Sequence, residues 1–430
     1  MSTIAVVGAG YVGISSAACF ASLGHDVVCA DVDADRVRRL SKGEVPILEE
    51  GLPALVANSL AAKRLQFVVG APAAVVDAEF VFLCVPTPEG EEGSADLTIV
   101  DGVTREIAPL LRPGSVVVNK STMPIGSTTR VARVLSEAGA PPDVGVASNP
   151  EFLREGTAVR DFLHPTRVVI GADDASVAVR VSDLYKGVQA PILVTDPASA
   201  EMIKYASNAF LASKISFINA IANLCEVVNA DIREVALGMG YDPRIGFEFL
   251  HAGPGWGGSC FPKDTAALLS TASESGYDFS LLRGAIEVNQ EQHLRVVEKI
   301  RAARGGTLDG ARIGVWGLTF KANTDDLRDS PAVTIVRRLA AEGASVRAFD
   351  PAAGDEATTV IPEIEVVQDA YAACAGADVL AVLTEWDEFR WLDFERVADA
   401  VASKTVIDAR NVLDPAAMRR LGFTYRGVGR

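Results

Sequence analysis

Cysteine and histidine are scarce, with six and four in 430 residues. Cys19, Cys29, Cys84, Cys225, Cys260 and Cys374 stand apart, no two in a C-x-x-C pair, which argues against a disulfide scaffold or a Cys/His zinc site. No metal is expected. Positive charge is short as well: 40 Lys and Arg against 56 Asp and Glu leave a net charge of -16. That balance excludes broad attraction to nucleic acid or an anionic membrane, so any anion must be held by local lysines and arginines. No stretch stays wholly apolar for the roughly 18 residues of a membrane span, and MSTIAVVGAG enters a strand directly, without a basic segment, apolar run and cleavage site. A cytoplasmic location is expected.

What is present is a chain that is 49% hydrophobic and 22% charged, the balance of an α/β protein with buried parallel strands. Its length implies two or three domains at roughly 100 to 200 residues each. IAVVGAG, a helix stopped by Gly24 and HDVVCADVD form a strand-helix-strand unit, and further strands read as FVFLCVPTP, SVVVNKST, VGVASNP and RVVIG. From Ala198 a helical pattern runs without Pro or Gly for about 30 residues, roughly 45 Å. Met202, Tyr205, Ala209 and Ala212 continue one side of it and Phe210, Phe217, Ile221 and Leu224 another, so dimerisation along this helix is expected. A second helical block, Leu281 to Arg304, ends at Gly305-Gly306. ARIGVWGLTFK, SPAVTIVRRLAAEG, SVRAFDP, ADVLAVLTEW and KTVIDAR then repeat the opening order. The expected fold is α/β, two Rossmann-like doubly wound parallel-sheet domains joined by a long central helix. Residues 1–195 form the dinucleotide-binding domain, 196–305 a helical dimerisation region and 306–430 the second Rossmann-like domain. The second half lacks a full glycine fingerprint, so it should bind something other than a second dinucleotide.

Gly8, Gly10 and Gly13 give G-x-G-x-x-G between a strand and a helix, where backbone amides and the helix dipole face a pyrophosphate. Asp31 ends the next strand, placed to accept from ribose hydroxyls and repel a 2'-phosphate. The same letters recur at Gly253, Gly255 and Gly258 without such a unit around them, and there they read as a flexible loop delivering Cys260. A lone cysteine is most often a small buried hydrophobe, the reading adopted for Cys19, Cys29, Cys84 and Cys225. Gly257, Gly258 and Ser259 instead leave room for a substrate carbon beside Cys260, and a helix starting there would favour its thiolate and bring Asp264 onto the same face. Lys204 and Asn208 share a face of the long helix. A lone lysine would be a solvated stripe; with asparagine among Ile203, Tyr205 and Phe210 it suits a developing oxyanion. Glu151 and Glu155 are either first-turn carboxylates of a helix or, one of them, a group that orients water. Thr122 ends a strand at the ligand-collecting edge. Lys321 and Arg328 either pair with Asp325, Asp326 and Asp329 or, the preferred reading, contact phosphate.

GAGYVG, VPTP, KST, NPEFLREGTA, K-x-x-x-N, GGSCFPKD and GLTFKANTDDLRDSP, in that order, resemble the UDP-glucose/GDP-mannose dehydrogenase family over essentially the whole chain. The resemblance implies oxidation of a sugar nucleotide's primary alcohol to a carboxylate, using two NAD molecules and no metal. It implies that Cys260 forms a thiohemiacetal and then a thioester. Lys204, Asn208 and Thr122 would hold the oxygen or water, and Asp264 or Glu151 would assist proton transfer. It places Gly8, Gly10, Tyr11, Val12, Gly13, Asp31, Arg36, Val85, Pro86, Thr87, Thr122, Glu155, Lys263 and Arg328 at NAD. Glu151, Phe152, Leu153, Lys204, Asn208, Phe249, Leu250, Gly257, Phe320 and Lys321 fall at the sugar nucleotide, and Arg244 at the sugar of a partner in a homodimer. NPEFLREGTAVRDF followed by HPTRVVIG resembles the UDP-glucose members more than the GDP-mannose ones, with GDP-mannose or a UDP-N-acetylhexosamine as the alternative substrate, while His251 stands where some members carry Lys and Trp256 where Tyr or Phe is more usual. A nucleotide-sugar-binding regulator would need none of Cys260, Lys204, Asn208 and Asp264, and a 2-hydroxyacid dehydrogenase would not need the cysteine.

Overall fold

Alternation of side chains along the central strands decides the layers. In the computed structural model, which describes residues 1–90 and 93–430, the first strands are β1 (Thr3–Val7), β2 (Asp26–Asp31), β3 (Leu65–Val69), β4 (Phe80–Leu83), β5 (Val116–Asn119), β6 (Gly145–Ser148), β7 (Val168–Gly171) and β8 (Ile192–Thr195). Ile4, Val6, Phe80, Phe82, Val116 and Val118 point to one face and join the core around Phe20. Ala5, Val7, Val81, Leu83 and Val117 point to the other. With both faces covered, these strands read as continuous apolar runs. Their order is β3-β2-β1-β4-β5-β6-β7-β8. One expectation is corrected here, because the sheet is not wholly parallel: β6 and β7 meet antiparallel through Ser148 and Gly171.

The later strands are β9 (Arg312–Trp316), β10 (Ser345–Phe349), β11 (Glu365–Val366), β12 (Val379–Val382), β13 (Thr405–Asp408) and β14 (Thr424–Gly427). They form a second, all-parallel sheet in the order β11-β10-β9-β12-β13-β14. Ile313, Val315, Val379, Ala381 and Ile407 face one core, and Trp316, Leu380, Val382 and Val406 the other. The repeat read from the sequence is therefore a repeat of topology.

The chain divides into two compact units, Met1–Ser207 with Ala266–Tyr277, and Asn208–Thr265 with Asp278–Arg430. Two helices run through the division, the long helix Pro197–Val228 and the helix Phe261–Glu274. By length and composition alone the long helix could cross a membrane. Its Tyr205, Ala209 and Ala212 are buried, while Met202, Phe210, Phe217 and Leu224 are exposed. Of the two apolar sides read from the sequence, the first is buried within the chain except at Met202, and the second leaves Phe210, Phe217 and Leu224 exposed.

Candidate active site

The first glycine turn leaves β1 at Gly8 and enters the helix Tyr11–Ser22. Gly8 has φ +102°, and a Cβ there would lie 2.5 Å from the Cys84 carbonyl oxygen. At Gly13 a Cβ would lie 1.8 Å from the Gly8 oxygen, so this glycine is needed where helix and turn meet. Gly10 is different: it is exposed, nothing lies within 4 Å of its virtual Cβ, and no side chain caps the helix amides that follow. An open glycine beneath uncapped helix amides is the cradle a pyrophosphate requires, so these residues fit a dinucleotide. Asp31 anchors the turn from β2. Its carboxylate accepts from the amides of Ala9 at 2.8 Å and Asp33 at 2.9 Å, and Arg36 stands 3.6 Å away. Asp31 thus shapes the turn.

Beside the turn, Tyr11 donates to Glu49 and accepts from the Gly156 amide at 2.7 Å. Its hydroxyl ties the helix start to the segment following β6, and Val12 packs against the Phe20 core. Past β4, Val85 and Thr87 are buried and Pro86 is exposed. The Val85 carbonyl accepts from the Ser121 hydroxyl at 2.7 Å, and the Thr87 hydroxyl donates to the Thr122 carbonyl at 2.9 Å. These bonds stitch together the two strand ends that carry the cofactor residues expected there.

NPEFLREGT follows β6 as a loop, and the next helix begins only at Ala158. The reading of Glu151 and Glu155 as first-turn carboxylates is therefore corrected. Glu155 sits half-buried in the turn before that helix. Glu151 is buried and accepts from Lys204 Nζ at 2.8 Å and the Leu153 amide at 2.6 Å. Burial pushes its carboxyl up, but Lys204, the Leu153 amide and Lys120 together outweigh burial and hold it below the usual carboxylate range. The Lys204 ammonium also lies 5.6 Å from the Phe152 ring centroid, while the Arg167 guanidinium stacks on that ring at 3.8 Å. Lys204 is not on a solvated stripe.

Lys120, unremarked in the sequence beyond its place in KST, is fully buried. Its ammonium donates to Asn149 Oδ1 at 3.0 Å and lies 3.1 Å from the Tyr185 hydroxyl. Burial pulls its pKa down to about 8. A lysine ending an apolar strand was the only available signal.

In the second unit, Cys260 immediately precedes the helix Phe261–Glu274, where amides and dipole favour an anion. Its carbonyl accepts from the Asp264 amide at 2.9 Å, and its sulfur lies 3.7 Å from the Ser259 hydroxyl. Cys260 is partly exposed, whereas the other five cysteines are buried. Burial pushes the thiols of Cys19, Cys84 and Cys374 up to about 12, as befits inert core groups. Asp264, also buried, accepts from Asn208 at 2.6 Å and Lys263 at 2.7 Å. Lys263, expected at the cofactor, is thus the ion-pair partner of Asp264.

The glycines before Cys260 overturn two expectations. Gly253–Gly258 are buried and pinned, so the segment is not a flexible loop. A Cβ on Gly257 would lie 1.9 Å from the Asp329 carbonyl oxygen, and one on Gly258 would lie 2.8 Å from the Phe320 ring. These glycines admit the protein's own chain, not a substrate carbon.

Phe249 has φ +64°, its ring 6.3 Å from that of Phe261, and Leu250 is buried in the adjoining core. Lys321 lies 5.5 Å from the Phe320 ring centroid. Arg328 grips Asp326 with both arms, at 2.8 and 2.7 Å, so the acidic pairing holds where phosphate contact was preferred. Arg244 forms the same fork with Asp242 while its side chain remains 88% exposed, available to another molecule. Sequence reasoning missed Arg410, which donates to the carbonyls of Leu383 at 3.0 Å and Phe320 at 2.8 Å. Only its place just past a strand could have flagged it.

Three family models match in order. The NAD binding domain of the UDP-glucose/GDP-mannose dehydrogenase family covers residues 2–189, its central domain 198–291 and its UDP binding domain 314–415. The UDP-glucose 6-dehydrogenase of Rhizobium meliloti (strain 1021) is 46% identical, over 99% of each chain. UDP-glucose 6-dehydrogenase TuaD of Bacillus subtilis (strain 168) is 43% identical, over 100% of this chain and 94% of that one. Among solved structures, a UDP-glucose dehydrogenase from Pyrobaculum islandicum aligns with a TM-score of 0.94 at 39% identity, covering 100% of this chain and 98% of that one. The UDP-D-ManNAc dehydrogenase of Pyrococcus horikoshii aligns at 0.89 and 28% identity, over 99% of each. Matches in series along the whole chain, on a fold whose first glycine turn fits a dinucleotide, show that it belongs to the UDP-glucose/GDP-mannose dehydrogenase family and is an NAD-dependent oxidoreductase.

Proposed function

We propose that the chain oxidises UDP-glucose to UDP-glucuronate, with Cys260 as the covalent anchor. The observation carrying this reading is that Cys260 alone among six cysteines is partly exposed, and it sits at a helix start one turn before a buried carboxylate. NAD, when bound, accepts one hydride in each of two oxidations. After the first, the sugar's C6 is an aldehyde, and the Cys260 sulfur adds to that carbon while the oxygen gains a proton. Loss of the remaining hydride from C6 and of the hydroxyl proton turns this thiohemiacetal into a thioester. Water then attacks the carbonyl, the C–S bond breaks, and carboxylate and thiol are released. The covalent bond retains the aldehyde between oxidations.

Lys204 and Asn208, one turn apart on one face of a continuous helix, suit charge developing on the C6 oxygen. Glu151, held ionised by its partners, is assigned to take the proton from the attacking water, with Thr122 orienting that water. Gly8, Gly10, Gly13 and Asp31 are assigned to NAD. Residues 1–195 are taken as the cofactor domain, 196–305 as the helical region and 306–430 as the UDP-sugar domain. Exposed Phe210, Phe217 and Leu224 recur every seven residues, and we assign this stripe to a second copy in a cytoplasmic homodimer, with Arg244 reaching its sugar. Sedimentation at the mass of one chain would end the dimer assignment. For the reaction, the expected yield is two NADH per UDP-glucose with little released aldehyde. Cys260→Ser should bind both ligands and fail to complete turnover. One NADH per sugar, turnover of another nucleotide sugar instead, or wild-type rates in Cys260→Ser would each overturn the assignment.

A further inference from the structure

The segment before Cys260 is held by buried polar side chains on two helices of its own unit. From the helix Ser280–Ala303, Asn289 Oδ1 accepts from the Trp256 amide at 2.8 Å while its Nδ2 donates to the Trp256 carbonyl at 2.9 Å. One side chain thus satisfies both main-chain groups of one residue, as a neighbouring strand would. One turn on, Gln292 Nε2 donates to the Gly253 carbonyl at 2.8 Å. From the long helix, Asn219 accepts from the Gly253 amide at 2.8 Å and Ser216 accepts from the Trp256 indole at 2.9 Å. Asn289, Gln292, Asn219 and Ser216 are all buried, so losing one bond exposes the partner group to no compensating water.

The hold extends to the sulfur's immediate neighbour. The Trp256 ring meets that of Phe261 edge to face, with centroids 6.3 Å apart at 84°. Only three residues separate Trp256 from Cys260, and two of them are the glycines closed in by Asp329 and Phe320. Gly255 is pressed equally: a Cβ there would come within 2.7 Å of Asn289 Oδ1 and of His293 Nε2. Cutting Asn289 back therefore removes both bonds to Trp256 and opens the space its side chain fills against Gly255, into which the segment can shift.

We propose that Asn289 is the positioning residue of Cys260: its paired hydrogen bonds with the Trp256 main chain set where the sulfur stands at the start of the helix Phe261–Glu274. The hydrogen bonds of Asn289 go to the Trp256 main chain, so its assigned action on Cys260 runs through the segment. The proposal rests on Cys260 being the nucleophile, but not on the identity of the sugar. A small misplacement of a reacting atom lowers turnover by up to about 100-fold without weakening ligand binding, and a sulfur displaced from the helix start also loses stabilisation of its thiolate.

The test uses the full chain. Iodoacetamide alkylation of Cys260 is followed against pH by peptide mass, with Cys260→Ser as the blank and the five buried cysteines as internal controls. Asn289→Ala is expected to move the alkylation midpoint to higher pH and slow the reaction at pH 7 by about threefold or more. Its kcat should fall about 100-fold, with KM for NAD and for UDP-glucose within about threefold. Asn289→Asp keeps the acceptor for the Trp256 amide and loses the donor, so its loss of kcat should be intermediate. It is also the variant to measure should Asn289→Ala not fold. A wild-type alkylation profile in a folded variant, or losses that merely follow the unfolded fraction, would overturn the proposal. Absence of UDP-glucose oxidation in the wild-type protein would instead remove the substrate assignment and leave the alkylation comparison standing.

Discussion

The two sheets share a central strand order, yet only the first leaves its opening turn available to a ligand. Gly8-Ala9-Gly10 follows β1, and Gly317-Leu318-Thr319 follows β9 at the same place. In the first turn Gly10 is bare and the helix begins at the next residue. In the second, Thr319 is fully buried and no helix begins until Pro331. The carboxylates ending β2 and β10 differ in the same sense. Asp31 accepts from two amides. Asp350 accepts on Oδ2 from the amides of Leu318 and Thr319, the Thr319 hydroxyl and the Trp386 indole, and on Oδ1 from the amides of Ala352 and Ala353. One aspartate keeps lone pairs free beside the open turn; its counterpart is an internal staple.

The largest expected effect tests that staple. Asp350→Ala strands several buried donors, each worth about 1 to 3 kcal/mol when left unsatisfied, so the second unit should lose about 4 kcal/mol or more. Asp31→Ala removes two partly exposed bonds and should lose about 1 to 2 kcal/mol while weakening NAD binding. Urea unfolding with paired NAD titrations decides the matter. Equal stability losses, or lost NAD binding in a folded Asp350→Ala, would break the comparison.

The strands fifth in each order differ too. Lys120 follows β5, and buried Ala409 follows β13. The Lys120 ammonium is harder to keep in the native chain than in the unfolded one, with a pKa of about 8 against 10.5. Below about pH 8 both states are protonated and the burden is complete; from there to 10.5 folding sheds the proton and stability from this residue rises with pH. Lys120→Met should therefore gain up to about 3 kcal/mol at pH 7, less whatever the bonds to Asn149 and Tyr185 contribute. The gain should shrink to about 1 kcal/mol or less by pH 10. Melting temperatures across this range measure it, and a gain independent of pH would show that burial of charge is not the cause.

These contrasts explain which parts of the molecule were legible in the sequence. Continuous apolar strands, the glycine turn, Asp31 at a strand end, and Lys204 and Asn208 on one helix follow from local sequence, and each stands where the sequence put it. The loop before Cys260 did not, because the reason for its glycines lies at Asp329, Phe320 and Asn289, far along the chain. The family resemblance places Lys263 at the cofactor, and the preferred reading puts Arg328 at phosphate; no spacing rule pairs a lysine with the very next aspartate, and for Arg328 the pairing with Asp326 is the second choice. Lys120 and Arg410 were missed for the complementary reason: a single charge at a strand end carries no periodicity, and only packing shows what surrounds it.

The smallest expected change in structure falls at Gly10. Its φ of -79° and ψ of -170° suit any residue, and a Cβ there meets nothing. Gly10→Ala should leave the melting temperature unchanged or slightly raised, because alanine narrows the unfolded ensemble. The added methyl nevertheless occupies the surface that a pyrophosphate must approach, so KM for NAD should rise by about tenfold, equivalent to about 1.4 kcal/mol. The reciprocal change, Thr319→Gly, should confer no dinucleotide binding on the second half, since Asp350 keeps five of its six donors and the helix start at Pro331 is already capped by Ser330, whose hydroxyl donates to the Leu318 carbonyl. Unaltered NAD affinity in Gly10→Ala would mean that the open turn is not where the cofactor lies. Binding gained by Thr319→Gly would mean that one side chain, rather than the whole rearranged strand end, had separated the two halves.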